Sequence, residues 1–319
     1  MKNILLLGGY GFLGTNILKY LDECCGNTFR VIVFDKFAQH PADLLFDCVT
    51  KTYVGDFSDD VLINRLFDDN PIDFVIHAIS TTVPTSSFNA RYDIESNLIP
   101  TINLINSMLQ HGVKDIVYLS SGGAIYGNTS IVRHQEEENV FPISSYGVVK
   151  LAIEKYLMQY SELYGLRPLV VRLSNPYGPY HYSMKQGVCN VAMSFALSGN
   201  SFNVWGDGKA EKDYIYVCDF TEILFKLIDK KIHSQVINIG SGQIATVNDI
   251  LERIKKMVPE FHWYYSDASR YDVSHFELDT SKLLSIIGDF HFTNLIDGLE
   301  KTYAWQLSAL EAGQNPQSS

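Results

Sequence analysis

The segment that most restricts what this chain can become is Gly8-Gly9-Tyr10-Gly11-Phe12-Leu13-Gly14, which follows the apolar run Ile4–Leu7 and runs straight into a helical pattern. Glycines at 8, 11 and 14 permit a tight turn, a close backbone approach to a pyrophosphate, and close packing of the helix on the strand. The helix that starts at Phe12 and Leu13 presents free N–H groups and the positive end of its dipole to such an anion. A glycine pattern alone is only a tight strand-to-helix turn, but here the next strand ends in an acidic residue, Asp35. A carboxylate at that place accepts both ribose hydroxyls and repels a 2′-phosphate, so the spacing predicts NAD rather than NADP, with Lys36 alongside. Asp56-Phe57, after the third apolar run, are placed to hydrogen-bond and flank the adenine.

The rest of the chain agrees with such a turn. Short apolar runs at Ile4–Leu7, Arg30–Phe34, Lys51–Val54, Phe74–His77, Ile116–Ser120 and Leu169–Leu173 are nearly unbroken rather than alternating, as parallel strands covered on both faces should be. Amphipathic stretches at Phe12–Leu21, Ser58–Phe67, Ile94–His111 and Val148–Tyr164 lie between them. The expected fold is α/β, a doubly wound parallel sheet of Rossmann type with a smaller C-terminal substrate-binding region. The expected boundaries are 1–174 for the nucleotide-binding domain and 175–306 for the substrate-binding region, with 307–319 a frayed tail. A strand near 236–240 returns to the main sheet.

Composition excludes several classes. Thirty-six acidic against 25 basic residues give a net charge of −11, which repels phosphate backbones and argues against nucleic acid as a partner. An anionic ligand therefore needs a local basic patch. No run approaches the roughly 18–20 apolar residues that span a bilayer, so no membrane partner is expected. Five cysteines (Cys24, Cys25, Cys48, Cys189, Cys218) and nine histidines show no metal-ligand spacing. They read as reduced thiols of a cytoplasmic protein with no metal site.

Tyr146-Gly147-Val148-Val149-Lys150 places a phenol and an ammonium four residues apart, on one face of a helix. A phenol with pKa near ~10 is a poor base at neutral pH. A neighbouring ammonium, joined by the positive charge of oxidised nicotinamide, lowers that value and lets Tyr146 take a proton from a hydroxyl. The same spacing is common on helix surfaces; its place after the fifth strand of a dinucleotide fold gives it meaning.

With these features in order, the sequence resembles the NAD-dependent epimerase/dehydratase family of extended short-chain dehydrogenases/reductases. The resemblance runs from residue 1 to about 305. It rests on the glycine turn, Asp35, Asp56-Phe57, His77-Ala78-Ile79-Ser80, Asn97, Ser120-Ser121-Gly122-Gly123-Ala124-Ile125-Tyr126-Gly127 and the Tyr146/Lys150 pair. It continues through Asn175-Pro176-Tyr177-Gly178-Pro179, Trp205-Gly206-Asp207-Gly208, Asp213-Tyr214-Ile215-Tyr216-Val217 and Asp279-Thr280-Ser281-Lys282.

The resemblance implies bound NAD contacted by Gly8, Gly11, Phe12, Leu13, Gly14, Asp35, Lys36, Asp56, Phe57, Ala78, Ile79, Ser80, Asn97, Ser120, Tyr146 and Lys150. It also implies a nucleotide-sugar substrate, a UDP-hexose by preference, held by Asn175, Lys212 and Arg270, and a homodimer that packs the Ile94–His111 and Val148–Tyr164 helices. In the family a Ser or Thr stands four residues before the tyrosine of the Tyr-Gly pair; here Gly122 stands there, and Ala124 also lacks a hydroxyl. Ser121 is the expected substitute in the catalytic set, with Ser80 or Thr81 as alternatives. Phe276 falls near a position whose bulk narrows the family's pocket. The implied activity is a nucleotide-sugar 4-epimerase. A 4-keto reductase of a dTDP-, CDP- or GDP-6-deoxysugar using NAD(P)H is the runner-up, and a non-catalytic NAD-binding protein the third possibility. Dehydration is disfavoured, because Gly123-Ala124 occupy the place of the dehydratases' acidic pair.

Overall fold

Five of the six apolar runs become strands buried on both sides, and Lys51–Val54 becomes a largely exposed strand at the sheet edge. In the computed structural model, which describes residues 1–40, 44–82, 89–129, 131–184, 186–267 and 275–312, β1 (Lys2–Leu7) leads through the glycine turn into α1 (Phe12–Cys24). Then follow β2 (Phe29–Asp35), β3 (Val49–Val54), α2 (Asp60–Asp69) and β4 (Phe74–His77). A helical stretch consists of α3 (Ala90–Asp93), a π-helical step Ile94–Leu98, and α4 (Ile99–Gln110). Next come β5 (Asp115–Ser121), α5 (Gly122–Ile125), α6 (Ser145–Tyr164) and β6 (Arg167–Leu173).

The second half contributes β7 (Asn175–Tyr177), α7 (Val188–Leu197), β8 (Phe202–Trp205), β9 (Glu211–Tyr216), α8 (Val217–Asp229) and β10 (Gln235–Ile239). It ends with β11 (Ile244–Thr246), α9 (Val247–Met257), β12 (Trp263–Ser266), β13 (His275–Phe276), α10 (Ser281–Ile287) and α11 (Leu295–Glu311).

Seven parallel strands lie in the order β10-β6-β5-β4-β1-β2-β3. From β1 the chain moves outward to β2 and β3, then crosses to the other side for β4. The order reverses between β1 and β4, and that is where an open α/β sheet leaves a crevice at its strand C-termini. Ile4 and Leu6 face a core shared with Ile17 of α1 and Phe220 of α8, whereas Leu5 and Leu7 face Leu66, Leu104 and Ile153 of α2, α4 and α6. Helices on both faces explain why the strands show no alternation in sequence.

The expected returning strand is β10, paired with β6. It does not return alone: α8 and Leu283 of α10 also pack into the β1-side core. The remaining elements make a smaller body. There β9 pairs with β7, β11 and β13, β8 pairs with β12, and a separate core gathers residues from α7, α9 and α11. Helix α11 runs to Glu311, past Leu307 where the sequence places the start of the tail, and residues 313–319 lie outside the described ones. All five cysteines are free. Among the described residues no helix is long and apolar enough to cross a membrane.

Two helix starts matter for the site. Helix α6 begins ahead of Val148, because Ser144 caps it by accepting the Gly147 N–H at 3.2 Å. The segment before β5 takes a five-residue step, with Ile99 N–H donating to Ile94 O. Pro100, at the start of α4, has no N–H to give to Ser96 O, so the regular ladder is interrupted where the wider turn stands.

Candidate active site

The glycine turn is built from close contacts that side chains would block. Gly8 has φ +80° and donates its N–H to Phe34 O at 2.8 Å. A Cβ on Gly14 would sit 2.1 Å from Gly8 O, and one on Gly9 would sit 2.8 Å from a Val33 methyl. Gly11 differs: a Cβ there would meet only Gly8 O, at 3.5 Å. It caps α1 with no side-chain hydrogen bond, and the first turn carries no acidic residue. The N–H groups at Phe12 and Leu13 are therefore left for an external anion, and the open side of Gly11 leaves room for it to approach. These features fit a dinucleotide pyrophosphate.

Asp35 closes β2 beside this turn. Its carboxylate accepts the Tyr10 N–H at 2.9 Å and the Phe37 N–H at 3.3 Å. Burial raises its pKa, partly offset by those backbone donors. Lys36 is exposed, with Nζ 5.0 Å from the centre of the Phe37 ring. Across the crevice Ala78 N–H donates to Leu7 O at 3.0 Å, and Ala78 and Ile79 press on Gly8 from the β4 side.

The two residues expected at the adenine have partners within the chain. Asp56 accepts from the Ser58 N–H and hydroxyl, which hold its carboxyl below the ordinary value. Phe57 is 4% exposed and packs edge-on to His77 and Phe34. Asn97 sits in the π-helical step; its Oδ1 accepts the Thr81 N–H at 3.0 Å and its Nδ2 donates to Thr81 Oγ1 at 2.7 Å. It braces the strand end that carries Ser80.

Tyr146 and Lys150 occupy the first turns of α6, where the helix meets the ends of β4 and β5. A Cβ on Gly147 would stand 2.3 Å from Ala124 O, so glycine after Tyr146 lets α6 seat against α5. The hydroxyls of Ser121 and Ser80 both lie at the Tyr146 phenol; Ser80 gives its proton to Thr82 O at 2.9 Å, so Ser121 is the serine that donates to the phenol oxygen. Burial raises the pKa of that phenol, and the Ser121 hydrogen bond opposes the rise by favouring the phenolate. Lys150 is buried, donates to Leu119 O at 2.9 Å, and lies 4.8 Å and 5.8 Å from the ring centres of Tyr118 and Tyr146. Burial pushes its pKa down to about 8, and Glu154 opposes that change.

The glycine at 122 has a steric cause. A Cβ there would be 3.0 Å from the tip of the Phe276 ring and 3.1 Å from the Leu278 methyls. Phe276 is itself buried, clustered with Tyr126 and Leu278, so its ring takes the room a serine or threonine would need.

Ser120, expected at the cofactor, points inward instead and donates to Glu154 Oε1 at 2.6 Å. His77 is buried and donates or accepts through Nε2 at Thr101, with burial lowering its pKa to about 3. His181, read from sequence as a loop residue, is buried with its ring 4.6 Å edge-on to Phe12 at the start of α1. On the substrate side Asn175 is half-buried and its amide donates to Asp213 O at 2.9 Å, which ties β7 to β9 next to the half-buried Lys212. Arg270 lies outside the described residues. Among the described residues no group of three or more His, Cys, Asp or Glu side chains could hold a metal ion.

The sequence reading missed the surroundings of Lys150: Tyr118 beneath it, and Glu154 with Arg172 one turn further along α6. A signal was present, since Tyr146, Lys150 and Glu154 repeat at four-residue spacing on one helix face.

Comparison with known proteins agrees with this geometry. A sequence profile of the NAD dependent epimerase/dehydratase family matches residues 4–240. A putative UDP-glucose 4-epimerase of Methanocaldococcus jannaschii is 31% identical over 255 residues, 79% of this chain and 81% of that protein. A dTDP-4-dehydro-6-deoxyglucose reductase of Escherichia coli is 24% identical over 308 residues, 94% and 96% of the two chains. The crystal structure of UDP-glucose 4-epimerase from Thermotoga maritima with UDP-glucose superposes with a TM-score of 0.89 at 29% identity, covering 97% of this chain and 99% of that one. With the glycine turn, the crevice and the profile match in agreement over most of its length, the chain belongs to the NAD-dependent epimerase/dehydratase family, and its cofactor is NAD.

Proposed function

We propose that this protein is a nucleotide-sugar 4-epimerase, with UDP-hexoses as substrates. The observation that carries the reading is the Tyr146 phenol, hydrogen-bonded by Ser121 and flanked by Lys150, at the strand ends that border the NAD cradle. When bound, NAD supplies a reversible two-electron oxidation of the sugar carbon. Tyr146 takes the C4 hydroxyl proton as that carbon is oxidised, and gives it back when the 4-keto sugar is reduced on its other face. Lys150 holds positive charge beside the phenolate, and Ser121 donates to the reacting oxygens. Asn175, Lys212 and Arg270 are the proposed holders of the substrate diphosphate. Lysine at 212 gives a point charge rather than a planar fork, so that contact is monodentate. The similarity to UDP-glucose 4-epimerases from two organisms supports UDP-hexose as the substrate class.

Proton NMR of the purified protein with UDP-galactose and no added cofactor tests this. UDP-glucose should appear, which requires that NAD is retained through turnover. No conversion, even with NAD added and N-acetyl sugars tried, sinks the epimerase reading. Turnover of 4-keto-6-deoxy sugars with NAD(P)H would then assign the reductase reaction, the one the full-length similarity to the E. coli reductase favours. Absence of both activities leaves a non-catalytic NAD-binding role. The protein is also proposed to be a cytoplasmic homodimer.

A further inference from the structure

One helical turn beyond Lys150 lies an ion pair withdrawn from water. Glu154 is 2% exposed and Arg172, on β6, is 3% exposed. Arg172 Nη2 donates to Glu154 Oε2 at 2.8 Å, and its Nε lies 3.2 Å from both carboxylate oxygens. The Ser120 hydroxyl adds a third donor at 2.6 Å. These groups form a row: Ser120, Arg172 and Asn238 are register partners on the adjacent strands β5, β6 and β10. Tyr126 links the last two, accepting from Arg172 Nη1 at 3.0 Å and donating to Asn238 Oδ1 at 2.8 Å. Arg172 Nη1 also donates to Glu136 O at 3.2 Å, and Asn238 N–H to Glu136 Oε1 at 2.8 Å.

Burying such a pair carries a desolvation cost that apolar residues of similar size would avoid. The charges around Lys150 bear on its role. The ammonium's neighbour at 2.9 Å is a neutral carbonyl, Leu119 O, with the Tyr118 ring beneath it. His77 of β4 is buried and uncharged, and adds no anion. Asp93 lies on α3, a helix packed on α6, and is buried as well. Glu154 is the carboxylate on the same helix face as Lys150 and Tyr146, and three donors fix it in place.

We propose that Glu154 is a positioning residue for the Tyr146/Lys150 pair: held by Arg172 and Ser120, its carboxylate is the countercharge that keeps Lys150 an ammonium beside the phenol. This rests on the reading of Tyr146 and Lys150 as the proton-transfer pair. Burial drives Lys150 toward deprotonation near neutral pH, and Glu154 is the group that opposes it. Losing that charge would empty Lys150 of its proton and remove the phenolate's partner.

The test is the ultraviolet titration of tyrosinate in the NAD-loaded, full-length protein. Subtracting the curve of the matching Tyr146→Phe protein isolates Tyr146. Glu154→Gln should move the Tyr146 midpoint upward, leaving about tenfold less phenolate at a fixed pH near neutrality. Arg172→Met keeps the carboxylate and removes its partner, so the midpoint should stay or move down. A purely structural role moves both variants the same way, and that result, or no movement in Glu154→Gln, overturns the proposal. Should either single variant fail to fold, Glu154→Leu/Arg172→Met removes the pair without leaving a buried charge. Its midpoint should rise as in Glu154→Gln, and a wild-type midpoint overturns the idea. If Tyr146→Phe abolishes turnover while Glu154→Gln leaves the midpoint unmoved, only the role of Glu154 fails. If Tyr146→Phe turns over normally, the reading of the pair itself fails.

Discussion

At Tyr146 two influences oppose each other: burial keeps the proton on, and the Ser121 hydroxyl favours its loss. A base must be deprotonated to act, so removing a donor shifts the pH at which activity rises. Ser121→Ala should therefore move the acidic limb of the kcat/KM profile to higher pH and lower kcat/KM near neutrality by about 3- to 10-fold, the value of one hydrogen bond. Tyr146→Phe should cost on the order of 10²- to 10⁴-fold while NAD stays bound. Both are read from the rate of UDP-galactose conversion across pH. If Ser121→Ala leaves the profile where it was, Ser121 is not the donor that sets it. That Ser121 reaches the phenol was one of three options open in the sequence. What excluded the usual position, the Phe276 ring over Gly122, involves residues far apart in the chain, and no local pattern announces it.

The elements carry two further predictions. The turn between β1 and α1 is closed by backbone atoms that cannot yield, since a Cβ on Gly14 would meet Gly8 O at 2.1 Å and Gly9 Cα at 2.7 Å. Gly14→Ala should destabilise the fold by about 1–3 kcal/mol and weaken NAD binding more than any surface change; calorimetry with and without NAD measures both. A variant of unchanged stability and affinity would refute the close packing. Strand β9 carries Asp213, which is fully buried; its Oδ1 accepts the Ser241 N–H at 3.1 Å, and its Oδ2 has no hydrogen-bond partner among the described residues. Burial moves its pKa from 3.8 to about 6, worth at most about 3 kcal/mol. The folded carboxyl then holds its proton more tightly than the unfolded one. Its contribution to stability grows as pH falls from about 6 toward 4, opposite in sign to a salt-bridged carboxylate. The melting temperature of the wild type relative to Asp213→Asn should be more favourable at about pH 5 than at about pH 7; a flat difference would remove Asp213 from the pH response.

The same elements show what could be read in advance. Five of the seven parallel strands, β1, β2, β4, β5 and β6, were legible because burial on both faces leaves unbroken apolar runs. Strands β7, β11 and β13, two or three residues each, are too short to show a period. The row Ser120, Arg172, Asn238 depends on register across β5, β6 and β10, which is a property of the assembled sheet.

On the scale of the whole molecule, the helical face over α4 and α6 leaves several large apolar side chains exposed. Along α6, Val148, Tyr156 and Leu163 are exposed and follow one another at helical spacing, and Ile99 of α4 and Tyr92 and Ile94 of the preceding turns are exposed as well. Tyr160 and Asn106 join the two helices through a 3.2 Å hydrogen bond, so the face is held as one unit. Helix α6 has 20 residues and α4 has 12, about 30 Å and about 18 Å of length, and side by side they offer on the order of 500 Å², a large part of the roughly 800 Å² that each partner gives to a stable interface. Single apolar residues at a surface need no explanation, but a stripe of them along two packed helices does. A two-fold axis across the stripe lets it cover itself in a second copy. The protein, 36.0 kDa as a single chain, should therefore scatter light at twice that mass at micromolar concentration. Val148→Glu/Tyr156→Glu places like charges opposite each other across the axis and should yield the single-chain mass without unfolding, because both side chains point away from the core. A wild type that stays monomeric at every concentration would refute the two-fold arrangement, and a double variant that remains dimeric would move the interface to another face.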